Sequence, residues 1–95
     1  MGHKNGLIWY QDDATRRRFG EICEDKENFV RPYSAWLADA EKLIETMAEK
    51  GMMVIKVKAN PDDFLRWCQV NAHKPNQRAR TLFAYVKATE IVGNG

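Results

Sequence analysis

Apolar positions along the chain change their spacing several times, and each change marks an element. GLIWY at 6–10 is a short apolar and aromatic run with the length of a strand. Asp12 and Asp13 follow it. Either can cap a helix through its side-chain oxygen, and their charge suits the helix dipole. That helix is predicted over about 13–26, with Phe19, Ile22 and Cys23 inward and Gly20 as a weak point. Arg31-Pro32 then interrupts the chain, because the residue before a proline avoids helical geometry. Ser34 is a candidate cap for a helix over about 34–50. There Trp36, Ala40, Leu43 and Met47 recur at spacings of four, three and four, and Leu37, Ile44 and Ala48 widen the stripe. Asp39, Glu41, Lys42, Glu45 and Glu49 form the opposite face. Gly51 stands where a left-handed C-terminal cap belongs.

The period drops to two in MMVIKVK at 52–58, where Met53, Ile55 and Val57 alternate with Val54, Lys56 and Lys58. This predicts a strand with one buried face and lysines outward. A lone strand leaves its backbone groups unpaired, and the only other strand candidate is 6–10. A two-stranded sheet is marginal unless helices cover it or another chain extends it. A homodimer formed by strand pairing is therefore one expectation, opposed by the lysines, which usually guard an edge. Asn60-Pro61-Asp62-Asp63 starts another helix: a cap, a proline at the first position and two acids in the first turn. Phe64, Leu65, Trp67 and Cys68 are its apolar side, and it is predicted to stop near Asn71 or Ala72, before Pro75. Asn76 caps a last helix to about Ile91, with Ala79, Leu82, Phe83 and Val86 buried and Gly93 ending it. The fold class is α+β over a single domain, 1–95. About four helices dominate it, with one or two short strands at 6–10 and 52–58.

Composition narrows the functions without choosing one. Ninety-five residues make one domain. With 44% hydrophobic and 29% charged residues, the chain is an ordinary globular one. No apolar run approaches the roughly 18 residues of a membrane span, and MGHKNGLIWY lacks the long apolar stretch of a secretion signal. Two cysteines are too few for a disulfide scaffold, so a reduced cytoplasmic setting is the default. The charge is uneven. Residues 1–50 hold eight Lys/Arg and ten Asp/Glu, a net of −2, while residues 51–95 hold seven and three, a net of +4.

Catalytic chemistry finds little support. A nucleophile needs a base and an orienting partner, yet His73 is the only histidine away from the N-terminus, and Cys23 and Cys68 both fall on apolar stripes. No closely spaced Cys/His pairs announce zinc. The acidic doublets 12/13 and 62/63 have a structural role as caps, and no phosphate-binding glycine loop is present. TRRRF at 15–19 spreads three arginines over about 200° of helix. They read as a solvated face neutralised by neighbours such as Glu21, rather than as one grip on a partner.

Two functional expectations remain. The first is a non-enzymatic interaction or regulatory protein, in a homodimer or with a protein partner, using Trp9, Tyr10 and Trp67 as surface anchors, since aromatics dominate binding hot spots. The alternative is nucleic-acid binding by a helix-turn-helix-like hairpin at 60–91. There Lys74, Gln77, Arg78, Arg80 and Lys87 are the candidate contacts, and arginines in the first turn of a helix suit a bound anion. Against it, NAHKPN is long for such a turn and lacks glycine. No metal, cofactor or membrane is expected. In general style the chain resembles short bacterial or mobile-element accessory proteins, a likeness that identifies no function.

Overall fold

A computed structural model of the protein describes residues 4–92; the predicted helix terminator Gly93 lies outside them. The order is β1 (Lys4–Trp9), α1 (Asp13–Ile22), a 3-10 turn (Lys26–Phe29), α2 (Tyr33–Glu49), β2 (Met53–Lys58), α3 (Pro61–Val70) and α4 (Gln77–Val92). This is the helix-dominated α+β architecture that the hydrophobic spacing predicts. The two strands pair in parallel, from Lys4 opposite Met53 to Trp9 opposite Lys58. Parallel strands need a crossover, and α1, the 3-10 turn and α2 supply it.

Most helix starts follow the local signals. Asp12 accepts a hydrogen bond from the Thr15 amide at 2.8 Å. Asn60 accepts one from the Asp62 amide at 2.8 Å, and Asn76 one from the Ala79 amide at 3.0 Å. Ser34 is the exception. Pro32 occupies the cap position with no side-chain bond, and Ser34 sits inside the first turn of α2. α1 also ends earlier than its pattern predicts, at Ile22 rather than near 26. The Lys26 ammonium turns back and donates to the carbonyls of Gly20 and Glu21, both at 3.0 Å, so it satisfies the helix end from outside.

Two helices end in the same motif with different residues. After α2, Met52 N–H donates to Met47 and Gly51 N–H to Ala48, with Gly51 at φ +78°. After α3, His73 N–H donates to Cys68 and Ala72 N–H to Gln69, and the left-handed position, φ +57°, holds an alanine.

α4 covers one face of the sheet. Ile8 and Val57, paired across the strands, are buried with Phe19, Phe64, Phe83, Ala84 and Ala88. The helix comes so close that a Cβ on Gly6 would stand 2.2 Å from the Ala84 carbonyl oxygen. Only glycine admits this contact. The other face of the sheet is not the simple lysine surface its alternation suggests. Trp9 packs there on Trp36 of α2, with ring centres 5.2 Å apart, and Lys56 Nζ lies 4.3 Å over the Trp9 ring. Three apolar expectations also fail locally. Leu43, Leu82 and Met53, each placed on a buried stripe by spacing, are exposed: α2 packs on the core through Tyr33 and Trp36 near its start, Leu82 is on the outer face of α4, and Met53 opens the strand.

Candidate functional site

The residues expected to anchor a partner are mostly engaged. Tyr10 is buried in the core, with its ring edge-on to Phe19 at 5.1 Å and to Trp36 at 4.9 Å. Burial pushes its hydroxyl up to about 12. Trp9 is half-buried on Trp36. Trp67 is half-buried, stacked on His73 with ring centres 5.2 Å apart and edge-on to Phe83. These three side chains therefore do not form one exposed surface.

The basic set divides. Lys74, Gln77 and Arg78 are exposed around the start of α4. Arg80 turns the other way: its Nη1 and Nη2 bond the two carboxylate oxygens of Asp25 at 2.9 and 2.7 Å, and both side chains are almost wholly buried. Such a fork is geometrically specific as well as strong. The Arg80 hydrogen bonds, aided by Asn28, hold the Asp25 carboxyl at about 2, well below the usual carboxylate range. Lys87 lies along Phe83 and reaches Glu90 at 3.4 Å. Arg80 and Lys87 thus do not share a surface with Arg78.

The arginine triplet also divides: Arg17 and Arg18 are the solvated, neutralised residues that the sequence predicts, though paired with Asp13 and Asp62 rather than Glu21, and Arg16 is not. Arg17 pairs with Asp13 one turn away at 3.0 Å, and Arg18 ties α1 to Asp62 of α3 at 2.7 Å. Arg16 points inward and is 5% exposed. Its Nη1 donates to the Arg31 carbonyl at 2.6 Å, and its Nε is buried with no hydrogen-bond partner. No carboxylate lies within ion-pair reach of it among the described residues. Spacing could have found it: Arg16 stands three residues before Phe19 and seven before Cys23, on the stripe those residues define.

Arg16 and Arg80 both line a cleft of about 280 Å³. Phe29 lies beside both guanidiniums, 4.8 Å from Arg80 Cζ and 5.7 Å from Arg16 Cζ. Trp36 and Phe29 contribute aromatic walls, Gln77 and Thr81 of α4 a polar one, and Gly6, Leu7 and Ile8 run along the side. Next to the Gln77 and Thr81 side of α4, Arg78, Leu82 and Tyr85 recur at spacings of four and three on one exposed face, and Tyr85 is 58% exposed.

The remaining chemistry is sparse. Cys23 and Cys68 are free and buried, and burial raises the pKa of both thiols, which disfavours the nucleophilic thiolate. His73 is at the surface beside Trp67. Among the described residues, no three His, Cys, Asp or Glu side chains gather as metal ligands, and no helix is long and apolar enough to cross a membrane. No protein-family model matches the chain, and no curated protein or solved structure shows detectable similarity to it.

Proposed function

We propose that the protein is a small non-catalytic interaction module that engages a protein partner, or a second copy of itself, through the outer face of α4. One observation carries this reading: Arg78, Leu82 and Tyr85 stand exposed at helical spacing, while the opposite face of the same helix is packed on β1. Tyrosine and arginine beside an aliphatic anchor are the residue types that dominate binding hot spots, and helices that dock in grooves present anchors at this spacing. The aromatic anchor of this reading is Tyr85, rather than Trp9, Tyr10 or Trp67.

A photo-crosslinking residue at position 85, in the cell that makes the protein, tests it. A defined adduct is expected there and not from the same residue at Glu49, on the exposed end of α2. Equal or absent crosslinking at the two positions overturns the reading, and the mass of an adduct separates a second copy from another protein.

Nucleic-acid binding takes second place. Its support is the exposed group Lys74, Gln77 and Arg78, and it loses Arg80 to Asp25. Binding of a labelled duplex or single strand that falls steeply between low and physiological salt would favour it. No binding at low salt removes it.

A further inference from the structure

We infer that the cleft beside Arg16 receives an extended peptide segment carrying a carboxylate, which pairs along the free edge of β1 and places its anionic group on the Arg16 guanidinium. The inference goes beyond the α4 face, which lies on another side of that helix.

Electrostatics single out Arg16. Taking a charge out of water is costly unless it is paired. Arg80 meets that requirement internally through Asp25, and Arg16 does not. Arg16 spends one nitrogen, Nη1, on a backbone carbonyl. The edge of the guanidinium formed by Nε and Nη2 is one that holds a carboxylate two-fold; Nε is closed to solvent, and neither nitrogen meets an acceptor from the protein among the described residues. Arg16 lines the cleft, so a ligand there lies beside this side chain.

Side chains of successive strand residues point to opposite faces of a sheet. A cleft that touches Gly6, Leu7 and Ile8 in succession therefore runs along the edge of β1 and not over one face. The sheet has two strands, and β2 occupies the other edge. On the cleft side, no side-chain hydrogen bond reaches these three backbone units, and no other backbone segment bonds them, among the described residues. A row of unpaired N–H and C=O groups is a template for an added strand. Main-chain pairing supplies affinity in such complexes, while side-chain and terminal pockets supply selectivity. Here Phe29 and Trp36 offer an apolar wall to the added segment, and Arg16 selects its charge. The volume suits two or three residues rather than a long segment.

The test uses the whole protein, labelled with nitrogen-15, and a mixture of N-acetylated pentapeptides of random sequence with free carboxyl ends. The Arg16 Nε–H signal and the amide signals of Gly6 to Ile8 are expected to move together. The same mixture with amidated ends, and with aspartate and glutamate omitted, is expected to bind about tenfold more weakly or worse, the loss that follows from a charge-assisted hydrogen bond. Millimolar acetate is expected to move Arg16 Nε–H alone. Equal shifts from the free and amidated mixtures overturn the role of Arg16. An acetate response without any response of the β1 amides to peptides overturns the added strand. In a second arm, Arg16→Met is expected to lose the peptide response while retaining or gaining thermal stability, because replacing an uncompensated buried charge by an apolar group of similar volume is commonly neutral or stabilising. Retention of the full peptide response by that variant overturns the inference. Light scattering on Tyr85→Ala reports separately on the α4 face.

Discussion

Individual residues in this small protein carry unequal electrostatic burdens, and the two arginines of the cleft show it: Arg16 has no carboxylate partner among the described residues, and Arg80 has one. Arg80 and Asp25 form a closed, buried pair. Replacing Asp25 with alanine leaves the guanidinium buried without its counter-ion, and a loss of about 3 kcal/mol in urea unfolding is expected. The same pair sets an acid limit. Asp25 titrates at about 2 in the fold, against 3.8 as its ordinary value. A folded-state pKa below the unfolded one gives stability that is complete above about pH 4 and is lost as pH falls towards 2. That part amounts to roughly 2 kcal/mol. Asp25→Asn is expected to remove it and to flatten the stability profile between those pH values. Ala72 is the opposite kind of residue, one the fold tolerates at a cost. It holds a left-handed position that Gly51 fills naturally in the matching motif after α2. Ala72→Gly is expected to raise stability by about 0.5–1 kcal/mol, read as a higher urea midpoint at unchanged slope.

Among the elements, the contact between β1 and α4 is the tightest constraint. Gly6→Ala forces a methyl group into the Ala84 carbonyl, which belongs to backbone and cannot swing aside. A loss of about 2 kcal/mol or more is expected, with α4 displaced, visible as shifted amide signals at Ala84 and Ala88. What the sequence made legible follows from how local each signal is. Asp12, Asn60, Asn76 and Gly51 act on backbone groups within a few residues, so their roles could be read in advance. The early end of α1 could not be, because a lysine side chain beyond the helix supplies the bonds that close it. Ser34 failed as a cap because the proline two residues earlier already provides the extended backbone from which α2 starts. The cleft was invisible for a stronger reason. It exists only where the side of β1, the first turns of α1, α2 and α4, and the 3-10 turn converge, and no short window of sequence contains that meeting. Arg16 was hidden among its neighbours in a run of three arginines, which read as a surface.

The molecule as a whole is unevenly held. Ile8 of β1, Val57 of β2, Phe19 of α1, Phe64 of α3 and the Phe83 and alanine face of α4 make the buried core, while the one buried residue of α2, Ala40, lies outside it. Local opening costs least where few apolar groups are buried. Amide hydrogen exchange is therefore expected to be faster in the second half of α2 than around Ala84 and Ala88 in α4. Equal protection in the two helices would mean that the protein opens only as one unit. The separation of its charges has a related effect. The exposed bridge from Arg18 to Asp62 links α1 to α3, but a solvated pair of this kind contributes at most about 1 kcal/mol, so salt should alter global stability far less than acid does.

Gly6 and Ala84 lie far apart in sequence, yet neither is in its final environment without the other. A ribosome makes β1 long before it makes α4. Until α4 has been made the nascent strand lacks the helix that shields it, so this unit can close only once the segment around Ala84 has emerged. A nascent chain that stops short of α4 should thus be easy prey for proteases.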